Sequence, residues 1–349
     1  MALTWNFRRI LAMGLRIGVV LLIASVALQG SARANYAERQ EVKDYVATLA
    51  QEHGFDEGEL LKLFSVAEKQ ERILESIARP AERTLEWHEY RRIFIKEPRI
   101  SQGVEFWQEN AETLAAAEER YGVPPEYVVA ILGVETRYGR ITGNYRVLDA
   151  LTTLAFDYPP RSKFFTKELT EYLLLTREEG RDPTDFFGSY AGAMGYGQFI
   201  PSSYRAYAVD FDADGARDIW SNRVDAIGSV ANYFSRHGWR RGEPVAFRVT
   251  VDGDAADALA NESLKPKRTL GELKALGVRL PASAPALADD AEANLYRMML
   301  EEGPEYWLAL KNFYVITRYN HSRLYALAVH QLAGEIVLAR ARGQETAAE

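Results

Sequence analysis

The sequence predicts a mainly α-helical protein with a small β-containing insertion late in the chain, and three observations carry that prediction. Apolar residues recur at helical spacing in segment after segment from Tyr36 to about residue 240. From about residue 243 the texture changes, and "EPVAFRVTVDGD" alternates apolar and polar residues and carries a turn, as a strand does. Beyond about residue 311 the helical pattern returns, ending in "SRLYALAVHQLAGEIVLARA". No internal repeat interrupts this order.

Residues 1–34 are set apart from the fold. They carry Arg8, Arg9 and Arg16, the apolar run "IGVVLLIASVAL" and the small-residue site "SARA", the order of a secretory signal peptide cleaved after Ala34. A retained anchor is the alternative, although the run from Ile17 to Leu28 is shorter than the roughly 20 residues of a full span. Removing four arginines and no acid takes the formal charge from −7 to −11. An acidic exported protein has no long-range attraction to nucleic acid or to an anionic membrane surface. The chain has no cysteine, so its stability comes from a core rather than disulfides, and no lipid-accepting cysteine is present. A periplasmic protein, soluble or peripherally attached, is the expectation. With 47% hydrophobic and 26% charged residues, the chain has ordinary globular composition.

The elements follow in order. "FDEGELLKLFSVAEKQERILESIA" puts Leu60, Leu61, Phe64 and Val66 into an amphipathic helical pattern, and the aromatic-dense "EWHEYRRIFI" comes next. Residues 104–121 read as one helix ended by Gly122, and Pro124–Pro125 open another, read as Pro125 to Tyr138. "FFTKELTEYLLLTREEG" is helical and stops at Gly180. Residues 188–203, "GSYAGAMGYGQFIPSS", read as a loop, and "RVDAIGSVANYFSRHGW" as a helix ending near Gly238. Within the insertion, "TLGELKALG" is a short helical piece.

One residue stands out. In "VPPEYVVAILGVETRYGRITG", Glu135 shares a helical face with Val128, Ile131 and Leu132. A carboxylate on a buried stripe loses hydration and its pKa rises. A glutamic acid still protonated in the range of roughly 6–7 can donate a proton to a leaving group. The competing reading is an ion pair with Arg137 or Arg140, which lowers the pKa instead. Asp149 and Asp157 follow in segments without an apolar-stripe signature, so no second acid in a comparable setting stands near Glu135.

Two loops accompany it. "AGAMGYGQFIPSS" carries Gly192, Gly195 and Gly197 with Gln198, but no strand leads in and no Lys-Ser/Thr follows, which rules out a phosphate-cradling loop. Its glycines allow either close approach of a bulky neutral ligand such as carbohydrate, with Tyr196 and Gln198 beside it, or a tight helix–loop packing. "DFDADGARDIW" places Asp210, Asp212 and Asp214 at positions 1, 3 and 5 of an EF-hand-like loop, with Gly215 at 6 and the Ala216 carbonyl as backbone ligand. Position 12 is Ser221, and Asp225 is the residue available to close the site; an acidic solvated turn is the alternative. Many of the 19 tyrosines gather near these motifs, while the five histidines show no metal-ligand spacing.

With "GVETRYG", "GAMGYGQFIPSSY", "DFDADG…IW…DAIGSVANYF" and "RYNHSRLYALAV" in this order, the chain resembles the lytic murein transglycosylase B family from about Tyr36 to Leu338. The resemblance implies a lysozyme-like helical catalytic core at 104–242, a helical α domain at 35–103, a small β domain at 243–311 and a C-terminal helical segment at 312–349. It implies that Glu135 is the single catalytic acid/base and that Tyr90, Ser189, Gln198, Tyr233, Tyr319 and Asn320 line a glycan cleft. It implies a structural Ca2+ held by Asp210, Asp212, Asp214, Asp225 and the Ala216 carbonyl, with no cofactor needed for the chemistry. The expected partner is a peptidoglycan glycan strand, cleaved between N-acetylmuramic acid and N-acetylglucosamine with a 1,6-anhydro product. A hydrolytic muramidase and a non-enzymatic wall-binding protein are the rival expectations.

Overall fold

The computed structural model describes residues 35–77 and 85–348, and the leader read in residues 1–34 lies outside them. A 3-10 turn at Tyr36–Glu38 leads into α1 (Gln40–His53) and α2 (Glu57–Ser65), the latter capped by Asp56, whose carboxylate accepts the Glu59 N–H at 2.8 Å. Leu60 and Phe64 are buried as the pattern requires. Val66 is not: α2 ends one residue before it, so the stripe stops and Val66 stands 49% exposed. Helix α3 (Glu71–Ile77) and helix α4 (Trp87–Phe94) follow, and α4 turns Trp87 and Tyr90 into the core.

The expected single helix at 104–121 is two, α5 (Glu97–Glu109) and α6 (Ala111–Tyr121). Pro98 in the first turn sets the earlier start, and Asn110 makes the break by turning its side-chain amide onto the Phe106 carbonyl at 2.7 Å. Helix α7 (Pro125–Thr136) stops two residues short of the expected Tyr138, because Arg137 and Tyr138 adopt left-handed conformations with φ of 50° and 61°. It packs against α5, α6, α11 (Arg223–Arg236) and α15 (Arg323–Ala348). Its apolar residues therefore form no stripe: Val129, Ala130 and Val134 are buried along with Val128, Ile131 and Leu132.

Strand β1 (Tyr145–Arg146) pairs with β2 (Phe187–Gly188) across α8 (Val147–Asp157) and α9 (Ser162–Glu178), and α10 (Pro201–Tyr207) precedes the acidic loop. The segment holding Asp149 is apolar after all, and Asp149 is buried. It is fully occupied, accepting the Glu68 N–H at 2.9 Å and the Arg146 guanidinium at 2.6 and 2.9 Å. Asp157 likewise binds the Tyr36 phenol at 2.6 Å and Arg39 at 3.0 Å.

The late insertion is an antiparallel sheet of β3 (Ala246–Val251), β4 (Arg268–Thr269), β5 (Val278–Arg279), β6 (Glu292–Leu300) and β7 (Gly303–Ala309), in spatial order β4–β6–β7–β3–β5. After the one-turn helix α12 (Asp254–Asp257), "TLGELKALG" forms the short helix α13 (Leu270–Ala275), opened by a Thr269–Glu272 capping box. A small separate core that includes Val249, Leu270, Leu273, Leu295 and Leu308 backs this sheet. The main core runs unbroken from Tyr36 to Ile336. Helix α14 (Lys311–Tyr319) carries the chain from β7 into α15. Among the described residues, no helix is long and apolar enough to cross a membrane.

Candidate active site

Glu135 is the penultimate residue of α7 and is half-buried. Its Oε1 accepts a 2.5 Å hydrogen bond from the phenol of Tyr325, a buried residue in the first turn of α15. Burial, then the charge of Glu135 and its hydrogen bond, push the Tyr325 pKa well above that of a free phenol, so Tyr325 remains a donor. The Tyr319 phenol is raised in the same way, by burial first and then by Glu135. Tyr90 is buried on α4, which packs against α15, the helix that carries Tyr325.

Arginines flank this carboxyl in the sequence. The guanidinium of Arg137 reaches Gln102 at 3.4 Å, and that of Arg140 reaches Glu105 at 3.3 Å. The left-handed pair at 137–138 turns the chain sharply after Glu135, a backbone costing about 1–2 kcal/mol per non-glycine residue. Tyr138 holds it in place: its N–H bonds the Leu132 carbonyl at 2.9 Å and its phenol the Arg99 carbonyl at 2.8 Å. A Cβ on Gly133 would lie 2.6 Å from that phenol oxygen, so this fixing of the helix end depends on glycine.

The glycine-rich loop is pinned to the same helix end. The Thr136 hydroxyl donates to the Tyr196 carbonyl at 2.9 Å and accepts the Gly139 N–H at 2.9 Å. Bridges Gly188–Met194 and Met194–Phe199 fold the loop onto itself. Gln198 sits at φ 50° with its amide donating to the carbonyls of Thr142 and Gly195, both at 3.0 Å. Ser189 accepts the N–H groups of Ala191 and Ala193 at 3.3 and 3.1 Å, bracing its own turn while remaining half-buried. Tyr319 ends α14 and donates to the Gly197 carbonyl at 2.6 Å; a Cβ on Gly197 would stand 2.8 Å from that hydroxyl. Tyr233 packs on Tyr319 and Phe199, with ring centroids 4.7 and 5.8 Å away, and gives its hydroxyl to the Arg318 carbonyl at 2.5 Å. It therefore supports Tyr319 from behind. Asn320 caps α14, half-buried, next to Tyr319.

Glu135, Tyr90, Tyr319 and Tyr233 thus gather with Gln198 on one loop-and-helix framework, and Ser189 lies at the loop's other end. Tyr325 is the residue that sequence reasoning missed. It lies in "RYNHSRLYALAV", but a tyrosine among alanines and leucines reads as core packing.

The acidic loop lies between α10 and α11. Carboxylate oxygens of Asp210, Asp212 and Asp214 come within 4.8 Å of one another. Asp225 is placed differently from the expected closing ligand. It is buried, and its two oxygens accept the Phe211 and Asp218 N–H groups at 2.7 and 2.8 Å, tying both ends of the loop to α11. Ala216 gives its N–H to Asp214 at 2.9 Å. Burial raises the Asp225 pKa, and the charges of Asp212 and Asp210 raise it further. This surplus of negative charge on oxygen donors fits a hard divalent cation.

Comparison with known proteins follows the same line. The Transglycosylase SLT domain family matches residues 37–334. The membrane-bound lytic murein transglycosylase B of Escherichia coli (strain K12) is 44% identical over 315 residues, 88% of this chain and 85% of that protein. The catenated lytic transglycosylase SltB1 of Pseudomonas aeruginosa superposes with a TM-score of 0.83 at 53% identity, over 87% of this chain and 99% of that one. The Escherichia coli lytic transglycosylase Slt35, solved in complex with calcium, superposes with a TM-score of 0.80 at 43% identity, over 88% of this chain and 96% of that one. On this match across nearly all of the described fold, the chain belongs to the transglycosylase SLT family and is a peptidoglycan lytic transglycosylase.

Proposed function

We propose that Glu135 is the single acid/base of this enzyme and that the product is a 1,6-anhydro-N-acetylmuramic acid end. The observation that carries this reading is the Glu135 carboxyl, held by the Tyr325 phenol at the end of a buried helix to which the glycine-rich loop is pinned through Thr136. Ordinary glycosidases place two carboxylates across the bond. Here Asp149 and Asp157, the acids that follow Glu135, are both engaged by arginines. With one acid, the second nucleophile comes from the substrate.

The protonated Glu135 gives its proton to the glycosidic oxygen, the bond from C1 of N-acetylmuramic acid breaks, and N-acetylglucosamine leaves with a free 4-hydroxyl. The neighbouring acetamido oxygen stabilises the electron-poor C1. Glu135, now a carboxylate, takes the proton of the C6 hydroxyl, whose oxygen closes onto C1. The acid is regenerated and no water is consumed. Tyr325 and Tyr319 hold the carboxyl and the wall of the cleft, while Tyr90, Ser189, Gln198, Tyr233 and Asn320 shape the glycan site.

Asp210, Asp212 and Asp214, with the Ala216 carbonyl, would hold a Ca2+ whose part is to fix the loop ahead of α11, as the calcium complex of Slt35 suggests for this family. We place the protein in the periplasm, where its substrate lies, with the segment 1–34 as its export signal. Glu135→Gln tests the assignment: cleavage of purified peptidoglycan should fall at least about a thousandfold while binding persists. Undiminished cleavage by this variant, or wild-type products one water heavier than the anhydro form, would overturn it.

A further inference from the structure

Two residues before Ser189, Phe187 lines a cavity of about 540 Å³, together with Gln70, Glu71, Arg72, Asn144 and Arg146 among others. One wall is the ribbon of β1 and β2. Along 187–189 the chain alternates exposed, buried and half-buried, so Phe187 and Ser189 share a face while Gly188 turns inward. Two residues of extended chain span about 7 Å, the scale of a sugar unit. Arg146 lies opposite Phe187 in the ribbon's register, on the same side.

Phe187 is 52% exposed on this short ribbon, and Ile141 at 59% and Tyr190 at 37% stand on the adjoining loops. Exposed apolar side chains gathered beside a cleft mark a binding surface rather than a core. The cavity around Phe187 is otherwise polar, with planar amide, guanidinium and carboxylate groups. An apolar ring face beside such groups is what a pyranose requires, its C–H face stacking and its hydroxyl and acetamido groups hydrogen bonding. Three of the charged groups there are matched within the protein, Arg146 with Asp149 at 2.6 Å and Glu71 with Lys69 at 2.8 Å, and Arg72 stands beside them as a donor for sugar oxygens.

We propose that Phe187 and the adjoining cavity bind a pyranose unit of the glycan strand beyond the cleavage position, so that the enzyme reads strand length. This rests on the Glu135–Ser189 cleft being the glycan site. The test measures binding of peptide-free N-acetylglucosamine–N-acetylmuramic acid oligomers, from disaccharide to octasaccharide, to the non-cleaving Glu135→Gln protein with and without Phe187→Ala. Phe187→Ala should weaken octasaccharide binding about tenfold, leave the disaccharide unchanged, and be rescued by Phe187→Trp. Equal loss at every length, or no loss at any length, would overturn it. Failure of Glu135→Gln itself to bind any oligomer would overturn the cleft assignment beneath it, a distinguishable result.

Discussion

The Tyr325 phenol donates to Oε1 of Glu135 over 2.5 Å, joining the end of α7 to the start of α15 across 190 residues of chain. Tyr325→Phe keeps the ring and removes the donor, so packing should persist and the melting temperature should move little. The catalytic constant should fall about ten- to a hundredfold, since a hydrogen bond to a charged group is worth about 1.5–3 kcal/mol. Steady-state kinetics on purified peptidoglycan decide it: an unchanged kcat would make the bond a packing detail.

Gly197→Ala should injure the same site from the opposite wall. The added Cβ would lie 2.8 Å from the Tyr319 hydroxyl and 3.2 Å from Val230, so Tyr319 must shift or the loop must move. Overpacking of this kind costs about 1–3 kcal/mol, and activity should fall with it. Tyr319→Phe removes the clashing oxygen, so adding it to Gly197→Ala should recover part of the lost stability in urea melts. Additive losses would show that the clash with Tyr319 is not the cause.

The sequence made some of this architecture readable and hid the rest for physical reasons. Alternation in "AFRVTV" reports a half-buried strand, and β3 lies there. The helix at Pro125 has its start marked by proline, but its end is set by Tyr138 packing on Gly103 and Gly133, contacts that exist only once α5 and α7 meet. Glu135 was legible because a charge interrupts an apolar run. The stripe beneath it was not a stripe, since periodicity cannot distinguish one buried face from a helix buried all round. The Tyr325–Glu135 bond and the Arg39 partner of Asp157 are long-range relationships with no local signature, whereas Arg146 stands only three residues before Asp149.

The acidic loop should report cation binding through stability rather than activity. Calcium should raise the melting temperature of the chelator-treated protein, and at a hundredfold excess over the dissociation constant the gain is about 2.7 kcal/mol. Asp210→Ala removes one of three clustered carboxylates and should abolish the increment. Asp225→Asn should instead destabilise the protein with or without calcium, because Asp225 accepts two backbone N–H groups whatever the cation does. Equal melting in calcium and chelator would leave the loop a solvated turn.

His330 sets a pH dependence of folding with a definite sign. Its ring stacks on Tyr127, bonds that phenol at 2.9 Å and meets the edge of Trp307, and burial drives its pKa down to about 4 from 6.5. Between those values the unfolded chain holds a proton that the folded chain lacks. The contribution is therefore complete above pH 6.5, declines as the pH falls toward 4, and levels off below it. The full span amounts to about 3 kcal/mol. Carboxylates also titrate in this range, so the comparison must be with His330→Leu, which lacks the proton but keeps them. In urea unfolding at pH 7.5 and 5.0, the wild type should lose more stability on acidification than His330→Leu. Equal losses would mean that His330 takes up its proton in the folded state without penalty.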